Sequence, residues 1–503
     1  MSIDAALAAR VAAWIDSAGH TSDEVQSMVE AAVAAGFDPR SIRLVVDSRA
    51  NEDTVDVRAV ASRAGLRVID ADARVLDESI AETSAEILFI VRRGSVLPDV
   101  IPKVVGYFDR FPATDVVYGD SVTEAGLPLL RPVFSPIRLL GNDYLGPVVA
   151  VRPSSVRGIG GFRNEARRAQ VLDVALRVHE AGRVTALLPD ALATEDLSQG
   201  DFAGTSAAQR RVVADALRRA GVAARIDEVE PFVRRIHYDV VGDPLVSIVI
   251  PTRGSEVEIA GRLRVLVVDA IRGILDRSTY TNLEFVVVAD AETPPSVITA
   301  LDELCGDRLR IVAWDAPFNF SAKMNRGAAA ARGEYLLLLN DDVEIVSADW
   351  LETMLGLAQQ DGVGIVGAQL YFEDSTVQHA GQVYTGGVAG HAAFGWTGGR
   401  DDSLKSMLVD HEVSGVTAAC ALIRRDLYFE VGGFTLSLPG NYNDVDLNMK
   451  VRATGRSAVF SPWARLYHFE SKTRDPKILA SDLDTLQARW SRRMQVELYS
   501  RML

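Results

Sequence analysis

Short apolar runs alternate with helical stretches along the chain. Residues 4–36 are Ala-rich with helical spacing, and Thr21 or Ser22 ahead of Glu24 supplies an N-cap, so the chain is predicted to begin as helix. A second helix is predicted at 53–64. Strands are predicted at 42–47, 66–70, 86–91, 115–118, 246–252, 283–288, 310–312 and 335–339. Because strands that alternate with helices usually form parallel pairs, the pattern predicts an α/β fold with mostly parallel sheets.

The second half of the chain repeats the pattern of the first. The repeats join 283–288 to 42–46, 310–312 to 67–69, 431–434 to 159–162 and 445–451 to 172–178. Such internal similarity predicts two copies of one fold. We expect the first copy to lack a counterpart of the strand at 246–252.

Breaks in the pattern predict four parts of the chain. Residues 198–201 interrupt the first α/β pattern, and the Gly-Asp-Pro sequence at 242–244 is typical of a hinge. The predicted parts are an α/β domain at 1–200, a linker with an Arg-rich helix and a short β unit at 201–243, a second α/β domain at 244–475 and a helical tail at 476–503.

The apolar run at 335–339 ends abruptly on Asn340, Asp341 and Asp342. In open α/β sheets, ligands bind beyond the carboxyl ends of the strands. Adjacent carboxylates at that edge suit a hard divalent cation that carries a phosphorylated ligand. A polar turn after a buried strand is the alternative interpretation.

Polar positions that occur only in the second copy are candidates for function. Asp446 has a counterpart in Asp173, so we interpret it as a cap or a core hydrogen-bond partner. Asp444 has no counterpart, and near a helix N-terminus it is either a general base or a second capping carboxylate. His468 is interpreted as structural unless a metal binds Asp342.

Composition and charge exclude several classes of protein. The 503 residues are 48% hydrophobic and 24% charged, as in globular proteins, and the net charge of −15 argues against nucleic-acid binding. Two cysteines exclude a disulfide framework. We find neither a signal peptide nor a membrane span, so the protein is expected to be cytoplasmic, and docking at the inner face of the membrane stays open.

The residues 362–367 have the Gly spacing of a dinucleotide-binding fingerprint. That fingerprint follows a strand and opens a helix. Here the helical stretch 350–359 precedes it and strand-like 369–372 follows it, so we reject a nicotinamide site.

The motifs of the second half, in this order, resemble the family 2 glycosyltransferases of GT-A fold, in particular the bacterial polysaccharide and rhamnosyltransferase-like members. They lie at 246–252, 318–321 with Asn325, 340–342, 414–420, 432–434, 443–446 and 467–471. The resemblance covers 244–475, and 85–195 is similar to a degenerate copy. It implies two Rossmann-like GT-A domains in tandem, of which the second is catalytic.

The resemblance also implies a reaction: inverting transfer of a sugar from a UDP- or dTDP-sugar to a saccharide or glycoconjugate acceptor. Asp342 and His468 would bind Mg²⁺ or Mn²⁺, Asp341 would face the ribose or the metal, and Asp444 would be the general base. Residues implied to contact the nucleotide-sugar are Pro251, Thr252, Asp290, Asn325 and Asp341. Asp290 stands one place later than the acid such families use to hold the base.

The Gly-rich stretch at 379–399 contains aromatic side chains, which stack on sugar faces. It is therefore predicted to be a flexible acceptor loop that uses Trp396 and His391. A surface loop with incidental aromatics is the alternative.

Two rival functions stay open at this point. One is a non-catalytic saccharide-binding or scaffold protein of a glycan assembly system, because the first half shows that the chain carries a degenerate copy. The other is a nucleotidyltransferase, for which the sequence after the strand at 246–252 is a poor phosphate-binding loop. Homo-oligomerisation is also left open.

Overall fold

The computed structural model describes residues 5–49, 54–195, 202–259, 261–469 and 480–501. They form two compact units, and the boundary lies between Arg235 and Ile236. Each unit is a mixed α/β domain built on one large, parallel-rich sheet. The predicted break at 198–201 lies outside the described residues. Within those residues, no helix is both long and apolar enough to cross a membrane.

The first domain alternates strands and helices from its start. Strands β1–β11 span Val11–Asp16, Ile42–Val46, Arg67–Asp70, Ile87–Val91, Ser95–Val96, Thr114–Thr123, Pro128–Leu129, Val148–Val151, Val184–Glu195, Ala224–Glu230 and Val233–Tyr238. Helices α1–α9 span Ala5–Ala8, Ser22–Ala34, Thr54–Ala64, Ala73–Glu82, Val100–Arg110, Pro136–Gly141, Pro153–Gly158, Gln170–Glu180 and Phe202–Arg219. Short 3-10 helices cover Pro39–Ser41 and Asn164–Ala166.

Strand β1 corrects two predictions. Residues 4–36 are not one helical region, because Val11–Asp16 forms a central strand between β2 and β4. Alanines 12 and 13 favour helix, but burial between two strands decides their conformation. The first copy therefore does have a counterpart of the strand at 246–252. The N-cap prediction is confirmed, since Thr21 forms a capping box with Glu24 at the start of α2.

The second domain has the same alternation. Strands β12–β25 span Val246–Thr252, Glu256–Ile259, Arg262–Val265, Leu283–Asp290, Leu309–Trp314, Tyr335–Leu339, Val343–Ile345, Val363–Tyr371, Val377–His379, Gln382–Thr385, Val388–His391, His411–Val413, Cys420–Arg424 and Ser457–His468. Helices α10–α16 span Leu266–Arg277, Pro295–Cys305, Phe320–Ala330, Trp350–Ala358, Arg425–Glu430, Asn443–Ala453 and Ala480–Trp490. The 3-10 helices are Gly306–Arg308 and Ser491–Arg493.

The two large sheets have the same strand order. In the first it is β3-β2-β1-β4-β8-β6-β9-β5, and in the second it is β16-β15-β12-β17-β24-β19-β25-β18. Each strand of one sheet corresponds to the strand at the same place in the other, with the same relative direction for the central pairs. The internal repeat is therefore a repeat of topology, and a tandem pair of similar domains is confirmed.

The stretch at 379–399 differs from its prediction, and the fingerprint at 362–367 agrees with its prediction. The stretch 379–399 is not simply a loop, because β21 and β22 form a hairpin in which Tyr384 is fully buried. The fingerprint at 362–367 follows α13 and runs from the turn residue Gly362 into β19, which confirms that it does not open a helix. Of the helical tail predicted at 476–503, the structure shows helix at Ala480–Trp490 and Ser491–Arg493, whereas 494–501 is irregular and 470–479 lies outside the described residues.

Candidate functional site

The acidic residues after β17 lie at an edge where three parallel strands end. Strands β15 and β17 both pair in parallel with β12, so their carboxyl ends meet. Thr252, at the end of β12, donates its hydroxyl to Asp341 Oδ2 at 2.6 Å. Strand β25 pairs with β18, which brings His468 Nε2 to 3.2 Å from Asp342 Oδ1. Four predicted site residues are thus brought together from three separate parts of the chain.

The two neighbouring carboxyl groups have opposite pKa shifts. Burial raises the pKa of Asp341 to about 7, and the charge of Asp342 adds to this shift. Burial acts on Asp342 in the same direction, but the adjacent His468 outweighs it and lowers the pKa of that carboxyl. Asp342 is therefore the carboxylate that stays ionised at neutral pH.

Gln378 sets the tautomer of His468, and sequence reasoning missed it. Its Nε2 donates to the His468 carbonyl at 3.2 Å, so its Oε1, 2.6 Å from His468 Nδ1, faces that nitrogen as an acceptor. Nδ1 must then carry a proton, which leaves the lone pair of neutral His468 on Nε2. Such fixation of the ring by an outer partner is typical of metal-binding histidines.

The pair of Asp342 and His468 fits a divalent cation. Oδ1 of Asp342 is buried and has no hydrogen-bond donor among the described residues, although Nε2 lies at ion-pair distance. His468 Nε2 accepts from Asn340 Nδ2 at 3.0 Å, whereas the buried Asp342 oxygen lacks a donor, and a carboxylate beside an imidazole suits Mn²⁺ or Mg²⁺. In the same residues no cluster of three or more acidic, His or Cys side chains could hold a metal. Ligand oxygens and water would have to complete the coordination.

Lys323 connects the ends of β12 and β15, and sequence reasoning missed this residue as well. Its ammonium group donates to Asp290 Oδ1 at 2.7 Å and to the Thr252 carbonyl at 3.1 Å, although the side chain is only 2% exposed. A lysine beside Met324 and Gly327 on the buried face of α12 was the available signal. Asp290 thus lies at the predicted edge, held by a buried cation.

The other residues predicted to bind the nucleotide-sugar have mixed surroundings. Pro251 is partly buried and pairs in register with Val288. Asn325 accepts from the Tyr428 hydroxyl at 2.6 Å and exchanges two hydrogen bonds with the backbone of Phe434. The Asn325 side chain thus holds the Gly-Gly-Phe turn at 432–434. Its contact with a nucleotide-sugar donor stays a prediction.

Asp444 lies in the first turn of α15, within a set of hydrogen-bond donors. Its Oδ1 accepts from the Val445 amide at 2.8 Å and its Oδ2 from Gln382 Nε2 at 3.0 Å. Burial raises the pKa of Asp444, while the charge of His391 acts in the opposite direction. Tyr442, just before the helix, has a left-handed backbone with φ of 57°, a strained conformation that is frequent at functional sites.

Two histidines lie beside Asp444. His379 is buried, and its Nε2 accepts from the amides of Gly381 and Thr417, so its Nδ1 donates to His391 Nδ1 at 2.7 Å. Burial holds the pKa of His379 well below its usual range, so the ring is neutral. The exposed His391, when neutral, accepts through Nδ1 and carries its own proton on Nε2. Trp396 is half-buried and stacks under the Arg400 guanidinium.

The first domain fills the equivalent place with an internal ion pair. Arg92 and Arg93 follow β4, as Asn340 and Asp341 follow β17. Arg93 pairs with Glu195, the last residue of β9, and Arg131 donates to the same carboxylate at 2.6 Å. The two guanidinium groups lower the pKa of Glu195 to about 2 against the effect of burial. A protein cation thus lies, in the first domain, at the place that corresponds by strand order to Asp342 and His468 in the second.

Comparison with known proteins identifies the second domain. Residues 247–432 match the model of Glycosyl transferase family 2. The chain carries a family 2 glycosyltransferase domain. The matched segment includes Asp341 and Asp342 and ends before Asp444 and His468.

Two longer bacterial proteins are similar to this chain. One is "Uncharacterized protein y4gI" of Sinorhizobium fredii (strain NBRC 101917 / NGR234), 34% identical over 75% of this chain and 43% of that protein. The other is "O-antigen biosynthesis protein RfbC" of Myxococcus xanthus, 31% identical over 80% of this chain and 32% of that protein. The chain thus spans less than half the length of each.

Two solved structures have weaker similarity. GalNAc-T7 with UDP, GalNAc and Mn²⁺ is 15% identical, with a TM-score of 0.37, over 48% of this chain and 47% of that chain. The mannosyltransferase PcManGT of Pyrobaculum calidifontis, in complex with GDP-Man and Mn²⁺, is 16% identical, with a TM-score of 0.33, over 50% of this chain and 70% of that chain.

Proposed function

We propose that the second domain transfers a sugar, with inversion, from a nucleoside diphosphate donor to a saccharide or glycoconjugate acceptor. The observation that carries this proposal is the pair of Asp342 and His468, which face each other beside Asp341. Asp341 and Asp342 follow β17 within the segment that matches the family model. The relative that takes part in O-antigen biosynthesis supports an acceptor of the polysaccharide type. A UDP- or dTDP-sugar is the donor we expect.

Each residue has a separate role in this proposal. Thr252, Asp290 and Lys323 form a connected floor that would position the nucleotide. Asp342 and His468 would hold Mg²⁺ or Mn²⁺, which when bound offsets negative charge on the diphosphate. Asp444 would take the proton of the acceptor hydroxyl.

The reaction balances with these groups alone. The acceptor oxygen forms a bond to the anomeric carbon while the bond from that carbon to the diphosphate oxygen breaks. The hydroxyl proton passes to Asp444, and the electron pair leaves with the nucleoside diphosphate. Burial raises the pKa of Asp444 toward the operating pH, which suits a general base. Attack opposite the leaving group inverts the anomeric configuration.

The test is a panel of UDP-, dTDP- and GDP-sugars, assayed for release of nucleoside diphosphate with Mn²⁺ or with EDTA. We expect one donor to be turned over only with metal, and Asp342→Ala and Asp444→Asn to lose at least about 100-fold in rate. Asp374→Ala, at an exposed position of the same domain, is the control. Silence across the panel, without thermal stabilisation by any donor, would favour a non-catalytic scaffold instead.

A further inference from the structure

Gln382 connects the Asp444 carboxylate to a buried part of the second domain. Its side chain is 3% exposed, and its Nε2 donates to Asp444 Oδ2 at 3.0 Å. The Tyr384 hydroxyl, on the same hairpin, lies 2.6 Å from Gln382 Oε1. If the amide were flipped, two acceptor oxygens would face each other at Asp444. Tyr384 therefore donates to Oε1 and fixes the amide with its N–H toward the carboxylate.

The backbone of this hairpin is anchored on both sides. The backbone N–H of Gln382 donates to the Gly415 carbonyl at 2.7 Å. A side chain at Gly415 would collide with the Tyr384 hydroxyl and with Gln382 Oε1, so only glycine leaves room for this arrangement. Asn448, one turn after Asp444, binds the Asp444 carbonyl and the Val416 carbonyl, both at 2.7 Å. The helix and the hairpin are thus fixed to the same short segment.

The C-terminal segment, residues 486–497, also holds the β21–β22 hairpin in place. Glu497 accepts from the Tyr384 amide at 2.6 Å and from the Ser414 hydroxyl at 3.0 Å. Leu486 and Met494 pack with Tyr384 against the α15 residues Val445 and Met449. The tail therefore supports the hairpin that presents Gln382.

We propose that Gln382 is a positioning residue for Asp444, that Tyr384 sets its orientation, and that Glu497 holds both in place. The proposal rests on the proposed function for its catalytic meaning. Its structural content is independent of that function: the amide N–H stabilises the ionised form of the Asp444 carboxyl and fixes the direction of Oδ2.

Besides Gln382, the Thr417 side chain and the backbone amides of Val445 and Ala418 bind Asp444, and none of these changes in the test. His391, on β22, and Tyr384, on β21, interact electrostatically with Asp444. Arg452 and Glu497 act on Tyr384. Gln382→Met removes the amide without changing the charge of any of them, so a change in titration reports the lost hydrogen bond.

The experiment is a pH-dependent double-mutant cycle on the full chain. Melting temperatures of Asp444→Asn and of the unsubstituted protein are compared from pH 4 to 9. The difference grows while the unfolded carboxyl is ionised and folded Asp444 keeps its proton, and it levels off at the pKa of folded Asp444. The same comparison is made in the Gln382→Met and Tyr384→Phe backgrounds. The midpoint of that growth lies halfway between the pKa values of the unfolded and folded carboxyl. We expect it to move upward by about half a pH unit in Gln382→Met, as the folded pKa rises by about one unit, and by less in Tyr384→Phe.

Tyr280→Phe is the matched control, because it also removes a buried hydroxyl that donates to an oxygen acceptor, here the Pro244 carbonyl at 2.5 Å. Its midpoint should equal that of the unsubstituted protein. Equal midpoints in all backgrounds would overturn the proposal. If Gln382→Met does not fold, the midpoint in Tyr384→Phe still tests it.

Turnover of the donor found in the panel separates this proposal from the proposed function. We expect Gln382→Met to lower kcat about tenfold with donor KM unchanged. If Asp444→Asn is inactive and Gln382→Met turns over normally, the positioning role is wrong. If Asp444→Asn keeps full turnover, the base assignment fails, while the shift of the midpoint still supports the contact.

Discussion

Asp341 and Asp342 form a pair of adjacent carboxyl groups in a largely buried place, which is unfavourable unless a proton or a cation shares it. In the structure the pair is divided, since burial raises the pKa of Asp341 to about 7 while His468 keeps Asp342 ionised. Without metal, part of the stability of the second domain is therefore lost as the pH rises toward 7, while folded Asp341 still keeps its proton.

Asp341→Asn is predicted to stabilise the metal-free protein at alkaline pH. The unfolded carboxyl ionises near pH 4, while the folded one keeps its proton to about pH 7, so stability falls across this range and then levels off. Asn does not titrate, and its oxygen can still accept from Thr252. Because one pKa unit corresponds to about 1.4 kcal/mol, the gain above pH 7 should reach a few kcal/mol.

Melting temperatures of both proteins in EDTA, from pH 4 to 9, measure this gain. The curves should converge near pH 4 and separate as the pH rises to 7. Parallel curves would show that Asp341 has an ordinary pKa.

Gln378→Leu is predicted to weaken Mn²⁺ binding about tenfold or more, because it releases the ring of His468 while leaving both ligands in place. Calorimetric titration with Mn²⁺ in the presence of UDP measures the change. Gln360→Leu is the control, since that amide binds only the Gly356 carbonyl, away from the site. Equal Mn²⁺ affinity in Gln378→Leu and the control would show that Gln378 does not support metal binding by His468.

Among single residues, the sequence predicted the acidic residues of the site better than the side chains that support the site. Asp341 and Asp342 are visible because they interrupt an apolar run, and Asp444 because the first copy lacks it. Lys323 shows only its place on the apolar face of α12, and Gln378 carries no local signal. Their partners Thr252 and His468 are 71 and 90 residues away in the chain. Their roles come from the sheet register alone.

Helix α15 is held by α16 through a buried charge. Asp446 is fully buried and accepts from Arg489 at 2.6 Å and from Trp490 at 2.7 Å, and Lys450 and Thr435 are also bound to it. The prediction that Asp446 is a core hydrogen-bond partner is confirmed. The helix that carries Asp444 is therefore fixed by the C-terminal segment.

Asp446→Ala is predicted to lower the free energy of unfolding of the second domain by about 3–5 kcal/mol, because it leaves the cationic side chains without their shared acceptor. Urea denaturation followed by tryptophan fluorescence measures the loss. Asp484→Ala, an exposed position on α16, should change it by less than about 0.5 kcal/mol. A similar small effect in both variants would contradict the structural role of Asp446.

Elements were predictable where burial and local preference agree. The strand at Val246–Thr252 has the predicted bounds, because its β-branched residues are buried on both faces. Strand β1 was missed because its alanines favour helix, and only pairing with β2 and β4 shows their state. The hairpin β21–β22 was missed because its many glycines are typical of loops.

The whole molecule contains two domains of one topology with opposite electrostatics at the same place. In the second domain, the end of β17 presents the carboxyl groups of Asp341 and Asp342, which we propose accept a cation. In the first, Arg93 and Arg131 saturate Glu195, so the corresponding position already holds positive charge. We therefore propose that only the second domain binds a metal with a nucleoside diphosphate, and that the first has another, structural or acceptor-side role.

The most direct test of this account is the thermal shift caused by Mn²⁺ together with UDP, dTDP or GDP. One nucleotide with Mn²⁺ should raise the melting temperature of the unsubstituted protein and of the Asp374→Ala control. The rise should be absent in EDTA and in Asp342→Ala. An undiminished rise in Asp342→Ala would place the metal elsewhere and contradict the central claim.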